Sequence, residues 1–517
     1  MTDTPLQLED RAQIMRHGLS VDEVLRQVEL FKHPPRYVRL ERPCLPHNGI
    51  RVPTAAQQQA FVAAFEVACA QGRFLKFVPA SGAASRMFKT LLAIAAESGA
   101  VTREQQARRA KNGDSAAREF LACMEGLPRF AFFEDLAAVM ARNHVAIDTA
   151  LASGEYGPLL DYLLTERGLD YAALPKGLLK FHRYPDGSRT PFEEHLVEGA
   201  AYVRDRNGVA RLHFTVSPQH LERFQHLLAQ VRTEYEARYA SRFDVSFSTQ
   251  HPRTDTIAVD IENRLFRDEA GRLLFRPGGH GALIENLHDL GGDVVLIKNI
   301  DNVVPDNRKG PTVYWKKVLG GYLVDVQQEI FRHLKRLHEA LTPPDALAEA
   351  VHFVRDALSV TVPTSVTAGT DQLRDFLIAK LDRPLRVCGM MRSDANPGGG
   401  PFWVKGHDDT CTLQIVETAQ VDANAADQQA VLRAATHFNP VDLACGVRNW
   451  KGEPFDLRRY VDQTAVFISQ KSYGGKPLKA LEHPGLWNGA MADWNTIFVE
   501  VPPETFRPIK TVNDLLE

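Results

Sequence analysis

Between Phe74 and Thr90 the chain reads FLKFVPASGAASRMFKT, a stretch whose residue types suit the handling of phosphate. Apolar Phe74, Leu75, Phe77 and Val78 predict a short buried strand. Ser81, Gly82, Ala83 and Ala84 then form a turn almost bare of side chains, and Arg86 and Lys89 stand where a helix is expected to open. A tight strand-to-helix turn needs small residues for packing alone, whereas a helix N-terminus beside cations is also an anion site. Both readings stay open on this stretch. Other polar residues bear on the choice. LPKGLLKFH places Lys176 after a proline, and FRPGGHGALIENL sets His280 between glycines before a helical run. DVVLIKNIDN ends a buried run on Asn299, Asp301 and Asn302, and FRPIKTVNDLL carries Lys510. Taken singly each has an ordinary reading: a solvated lysine, a turn histidine, a turn carboxylate.

The elements that must position these residues follow a βαβ rhythm. RLHFTVS alternates as a strand, Leu221 to Val231 has helical spacing, and Phe243, Val245 and Phe247 alternate again. That order predicts an α/β fold with a mixed, mostly parallel sheet flanked by helices. In such sheets ligands bind beyond the carboxyl ends of the strands, where the Ala80 turn and Asp301 both fall. Residues 1–55 read as a peripheral helical and irregular segment, 56–324 as the α/β core with a helical insertion at about 100–170, 325–385 as a second helical insertion, and 386–517 as an α+β part. The Gly398-Gly399-Gly400 run reads as a turn. A chain of 517 residues with net charge −3 carries no electrostatic footprint for nucleic acid. It has no apolar run of membrane-spanning length and no leader pattern. Its six cysteines form no CxxC pair, so neither a zinc site nor a disulfide framework is expected, and a cytoplasmic location is.

PASGAASRM resembles the phosphate loop of nucleotidyltransferases that make sugar nucleotides, usually AGGxGTRM. Seven further segments resemble the uridylyltransferase (UDP-sugar pyrophosphorylase) branch in the same order. Lys176 sits as in GPKS, RTPFEEHL resembles TFLDL, PGGHGAL resembles PPGHGDL, and KNIDNVV resembles SNIDNLG. IVETAQVD looks like VVEYSE, HFNPVDL like FNTNNLW, and FRPIKTVNDLL like FLPVKTTSDLL. Over the whole chain the sequence resembles a bacterial family known as a domain of unknown function, DUF4301. The resemblance implies a Rossmann-like nucleotidyltransferase (GT-A type) fold without the C-terminal β-helix of many relatives. It departs from the loop pattern at Ser81, Ala84 and Ser85, and by the long stretch between Arg86 and Lys176.

The reaction implied is attack of a sugar-1-phosphate on the α-phosphorus of a nucleoside triphosphate, with UTP the favoured base, releasing pyrophosphate. By the same resemblance Arg86, Lys176 and Lys510 are catalytic cations. Ser81, Gly82, Ala83, Ala84, Ser85 and Lys89 bind phosphate, with backbone N–H groups around Gly82 to Ser85 as the cradle. Gln250 and Gly279 meet the base, and His280, Asn299, Glu417 and Asn439 meet the sugar phosphate. Asp301 is the Mg²⁺ ligand. A catalytically silent nucleotide or sugar-nucleotide binding protein is the alternative, favoured by the replaced loop glycines. A metal-dependent glycosyltransferase ranks behind both, because it has no need of pyrophosphate-facing Arg86 or Lys89. Nothing in the sequence specifies the sugar or an oligomeric state.

Overall fold

The computed structural model describes residues 6–35, 37–339, 343–367, 369–393, 399–406 and 410–516. Four elements frame the candidate site: β1 (Phe74–Pro79), α1 (Pro191–Tyr202), β2 (Val209–Val216) and β3 (Val294–Lys298). The chain divides into two compact units, and the boundary runs through β1 after Phe77 and through β3 after Ile297.

The first unit comprises Met1–Phe77, Ser248–Ile297 and Tyr314–Pro503. Its main sheet orders the strands Leu45–Pro46, Gly49–Arg51, Asn495–Glu500, Leu385–Arg392, Asp442–Gly446, β3 and β1. The β3–β1 pair is parallel, as is Asn495–Glu500 with both its neighbours, while Asp442–Gly446 runs antiparallel to Leu385–Arg392. Phe74, Phe77 and Val294 through Ile297 are all buried, which explains why these strands read as largely apolar runs, with Lys76 a buried exception in β1. The expected turn at 398–400 lies partly outside the described residues, at Gly398. Gly399 and Gly400 instead open the strand Gly399–Lys405, where a Cβ on Gly399 would lie 2.4 Å from the Val416 carbonyl oxygen. The fold is thus mixed α/β with a mostly parallel central sheet, as the strand–helix rhythm implied.

The second unit comprises Val78–Phe247, Lys298–Val313 and Glu504–Glu517. The stretch expected to be helical holds five helices: Arg103–Lys111, Ser115–Gly126, Phe133–Arg142, Ile147–Ser153 and Gly157–Leu164. Their apolar core includes Ala84, Met87 and Phe88 from the turn after β1, together with Ile509 and Val512. The insertion therefore supports two candidate segments from behind. β2 is buried along almost its whole length, so His213 is an imidazole inside a strand, with Nδ1 2.7 Å from Ser246 Oγ. Burial pushes its pKa down from 6.5 to about 4. The unfolded chain takes up this proton first, so the stabilisation is full above about pH 6.5 and is lost as pH falls towards 4. Between those limits His213→Asn should lose less thermal stability than the parent protein; equal losses would remove His213 as the cause. No helix among the described residues is long and apolar enough to cross a membrane.

Candidate functional site

Within the second unit, four segments distant in sequence are stitched together at the carboxyl ends of the strands. After Pro79, the Ala80 N–H donates to the Thr215 carbonyl of β2 at 2.8 Å. Ser81, Gly82 and Ala83 are exposed, Ala84 is buried, and Ser85 and Arg86 are exposed again. Ala83 forms a β-bridge with Pro175: Ala84 N–H donates to the Leu174 carbonyl (3.0 Å), and Lys176 N–H to the Gly82 carbonyl (3.1 Å). Ala84 departs from its expected role for that reason. Its N–H is committed to the Lys176 segment, and its methyl faces the core beside Met87 and Phe88. The extra Cβ relative to glycine is a packing group and not an obstruction at the exposed side. The helix expected at Arg86 is a single 3-10 turn (Ala84–Arg86) followed by a seven-residue helix, Lys89–Ala95. Anion binding here thus falls to the exposed turn and its cations rather than to a helix terminus.

The loop after β3 joins the same place. Ile300 N–H donates to the Pro79 carbonyl at 3.4 Å, and Asn302 N–H turns back to the Asn299 carbonyl at 3.2 Å. Lys176 Nζ donates to Asp301 Oδ2 (2.7 Å) and to the Ile509 carbonyl (2.5 Å). Ile509 N–H in turn donates to the Asp301 carbonyl (3.3 Å), and Val512 N–H to the Met87 carbonyl (3.2 Å). Arg507 N–H donates to Asn302 Oδ1 at 3.0 Å. The turn after β1, the Lys176 segment, the Asn299–Asn302 loop and the Lys510 segment thus share one hydrogen-bonded framework. Gly177 permits it, since a Cβ there would come 2.9 Å from Phe224 and 3.2 Å from Ile300.

The charges are arranged unequally. Lys176 is a partly buried cation already paired with Asp301, their side chains 13% and 21% exposed. Arg86, Lys89 and Lys510 are exposed, and among the described residues their side chains have no ion-pair partner. The backbone of the Lys510 segment is fixed by Asp514, whose Oδ2 accepts from Lys510 N–H (2.7 Å) and Thr511 N–H (2.8 Å). Exposed cations without counter-charges suit an anionic ligand. Among the described residues there is no cluster of three or more His, Cys, Asp or Glu that could hold a metal ion. Asp301 alone would not retain one. Its single carboxylate does suit Mg²⁺ carried on phosphates, because Mg²⁺ takes only one or two protein carboxylates and fills its remaining positions with phosphate and water.

The remaining candidates belong to the first unit. Gly279 adopts φ 77°, a conformation that favours glycine, at the start of the turn carrying His280. Leu486 N–H donates to His280 Nδ1 at 3.0 Å, so the neutral ring carries its proton on Nε2. That nitrogen lies 3.7 Å from Glu417 Oε1, and a ligand hydroxyl could accept from one while donating to the other. Trp487 stacks on the imidazole with ring centroids 4.3 Å apart. Gln250 and Asn439 are occupied within the protein: Gln250 Nε2 is 3.5 Å from Asp255 Oδ1, and Asn439 Nδ2 donates to the Gly389 carbonyl at 2.9 Å. Sequence reasoning passed over Trp487, Gly177 and the Ile509 carbonyl. The Pro-Lys-Gly triplet was the available signal for Gly177, whereas a backbone carbonyl has no signature. A separate groove of about 810 Å³ lies between helices Phe133–Arg142 and Leu221–Tyr239, floored by Leu174 and Leu178, and no candidate site residue lines it.

A family model described as "Domain of unknown function (DUF4301)" matches residues 7–517. No curated protein matches the chain. Among solved structures it is similar to the uridine diphosphate N-acetylglucosamine pyrophosphorylase of Trypanosoma brucei, with 12% identity and a TM-score of 0.47, covering 98% of this chain and 76% of that one. It is similar also to a UDP-glucose phosphorylase of Trypanosoma brucei, at 13% identity and a TM-score of 0.42 over 98% and 77% of the two chains. A putative UDP-N-acetylglucosamine pyrophosphorylase of Entamoeba histolytica gives 10% identity and a TM-score of 0.43 over 90% and 82%.

Proposed function

We propose that this chain, which belongs to the DUF4301 family, is a nucleotidyltransferase that joins a nucleoside triphosphate, with UTP first in order, to a sugar-1-phosphate. The observation that carries the reading is that the segments bearing Arg86, Lys89, Lys176, Asp301 and Lys510 share one hydrogen-bonded framework at the strand ends. A phosphate oxygen of the sugar phosphate attacks the α-phosphorus, the bond to the bridging oxygen of the β-phosphate breaks, and pyrophosphate leaves. Such transfer calls for in-line positioning and neutralisation of charge, with little covalent chemistry from the protein. Arg86 and Lys89, beside the exposed turn, stabilise the departing pyrophosphate. Lys176 sits on the α-phosphate side, and Lys510 meets the sugar phosphate. Asp301 would hold Mg²⁺, which supplies charge neutralisation on the triphosphate when bound. The assignments of the base to Gln250 and Gly279, and of the sugar phosphate to His280, Asn299, Glu417 and Asn439, rest on the motif resemblance.

The test is pyrophosphate release from purified protein with Mg²⁺, each nucleoside triphosphate in turn and a panel of sugar-1-phosphates. Release that depends on one member of each class supports the transferase. A silent sugar-nucleotide binder is the second reading, favoured by the ion pair that already occupies Asp301. Binding without release in that assay selects it. Arg86→Ala should lower kcat/KM for the triphosphate by ~10-fold or more, as expected for loss of a charge-assisted phosphate contact. Its thermal midpoint should not move, because the side chain is exposed; a collapse of folding would return the turn to a packing role.

A further inference from the structure

Helix α1 buries three glutamates and a histidine, Glu193, Glu194, Glu198 and His195. Two of them reach the loop that carries Asp301. Glu198 Oε1 accepts from Lys298 Nζ at 2.8 Å, with the two side chains 0% and 1% exposed. His195 Nε2 lies 3.2 Å from the Ile300 carbonyl. A carbonyl only accepts, so the His195 proton sits on Nε2, while Nδ1 lies 4.0 Å from Glu198 Oε2. The loop is therefore held from below three residues and one residue before Asp301. Glu194 extends the hold further along the chain through Lys309, whose ammonium also meets Asp306 at 2.9 Å.

We propose that His195 and Glu198 are positioning residues: through the Ile300 carbonyl and the Lys298 ammonium they set the backbone from which the Asp301 carboxylate projects. The inference rests on the reading of Asp301 as a ligand for a metal–nucleotide complex. Its physical basis is the cost of the groups involved. A buried ion pair is a poor device for stability, since an apolar pair of similar volume is often as stable or more so. A fully buried imidazole is likewise a costlier filler than an apolar side chain. Both contact the same short loop, and both act on groups with fixed direction, a carbonyl and an ammonium. Oxygen ligands to Mg²⁺ tolerate little displacement, and partners behind a metal ligand typically govern its affinity by 10- to 100-fold.

The experiment compares the parent protein with His195→Leu, His195→Gln, the double replacement Glu198→Leu with Lys298→Met, and Asp301→Asn. Mn²⁺–UTP binding is followed by water-proton relaxation, alongside thermal midpoints. Asp301→Asn should lose the protein-bound Mn²⁺ signal. His195→Leu and the double replacement should fold with midpoints near the parent's yet bind Mn²⁺–UTP ~10-fold more weakly. His195→Gln, which keeps a donor near the Nε2 position, should recover most of the affinity. Folded variants that bind as the parent does, while Asp301→Asn does not, overturn the inference and leave the metal reading standing. Parent-like binding by Asp301→Asn overturns both. Should His195→Leu fail to fold, the double replacement decides by the same two outcomes.

Discussion

Asp301→Asn should reduce Mg²⁺-dependent pyrophosphate release by ~10³-fold, about 4 kcal/mol of transition-state stabilisation. The exchange of one oxygen for an amide keeps the volume of the side chain and removes its charge. At 21% exposure the group is within reach of solvent. The Ile509 N–H bonds to the Asp301 backbone carbonyl rather than to its carboxylate, and that contact survives the change. The thermal midpoint should therefore shift by no more than a few degrees. Turnover at the parent rate would take Asp301 out of the chemistry, and a large fall in midpoint would make it a structural carboxylate. A rise in the Mg²⁺ needed for half-maximal rate distinguishes loss of a metal ligand from a general disturbance of the site.

Lys176→Met should cost ~10²-fold in turnover, the range for removing one preorganised charge-stabilising group, and it should also loosen the Lys510 segment. The second effect follows from geometry. The ammonium donates at once to Asp301 Oδ2 and to the Ile509 carbonyl, so it joins a carboxylate of one loop to the backbone of another. Without it the segment keeps Asn302, Asp301 and Met87 as partners through Arg507, Ile509 and Val512, which should preserve folding. Amide hydrogen exchange over residues 507–512 measures the loosening, and turnover measures the chemistry. Reduced turnover with unchanged exchange would assign Lys176 to the reacting phosphates alone. Faster exchange with parental turnover would make it a structural clamp, and the catalytic assignment would fall. The ion pair also carries a consequence for the order of events. On the proposed function, a triphosphate arriving with Mg²⁺ would compete with Asp301 for the Lys176 ammonium and with Lys176 for the carboxylate, so the two partners would separate as the nucleotide seats.

Much of this was legible in the chain. The largely apolar runs of Phe74–Val78 and Val294–Ile297 are strands buried on both faces, and side chains excluded from water on both sides of a sheet are mostly apolar wherever the strand lies, with buried Lys76 the exception in the first. The helical insertion at 100–170 was readable from periodicity, which local geometry imposes on any helix with one buried face. The candidate segments were also recognisable by residue type, because phosphate calls for cations, small residues and a carboxylate. Other features depended on contacts between residues far apart in sequence. That Ala84 faces inward, with its N–H on Leu174, follows from a β-bridge to Pro175 that no local pattern encodes. That Lys176 meets Asp301 and Ile509, and that RTPFEEHLVEG hides its charges beneath the Asp301 loop, are likewise tertiary facts. A charged residue looks the same in sequence whether solvated or buried, since burial becomes tolerable only when the fold delivers its partner.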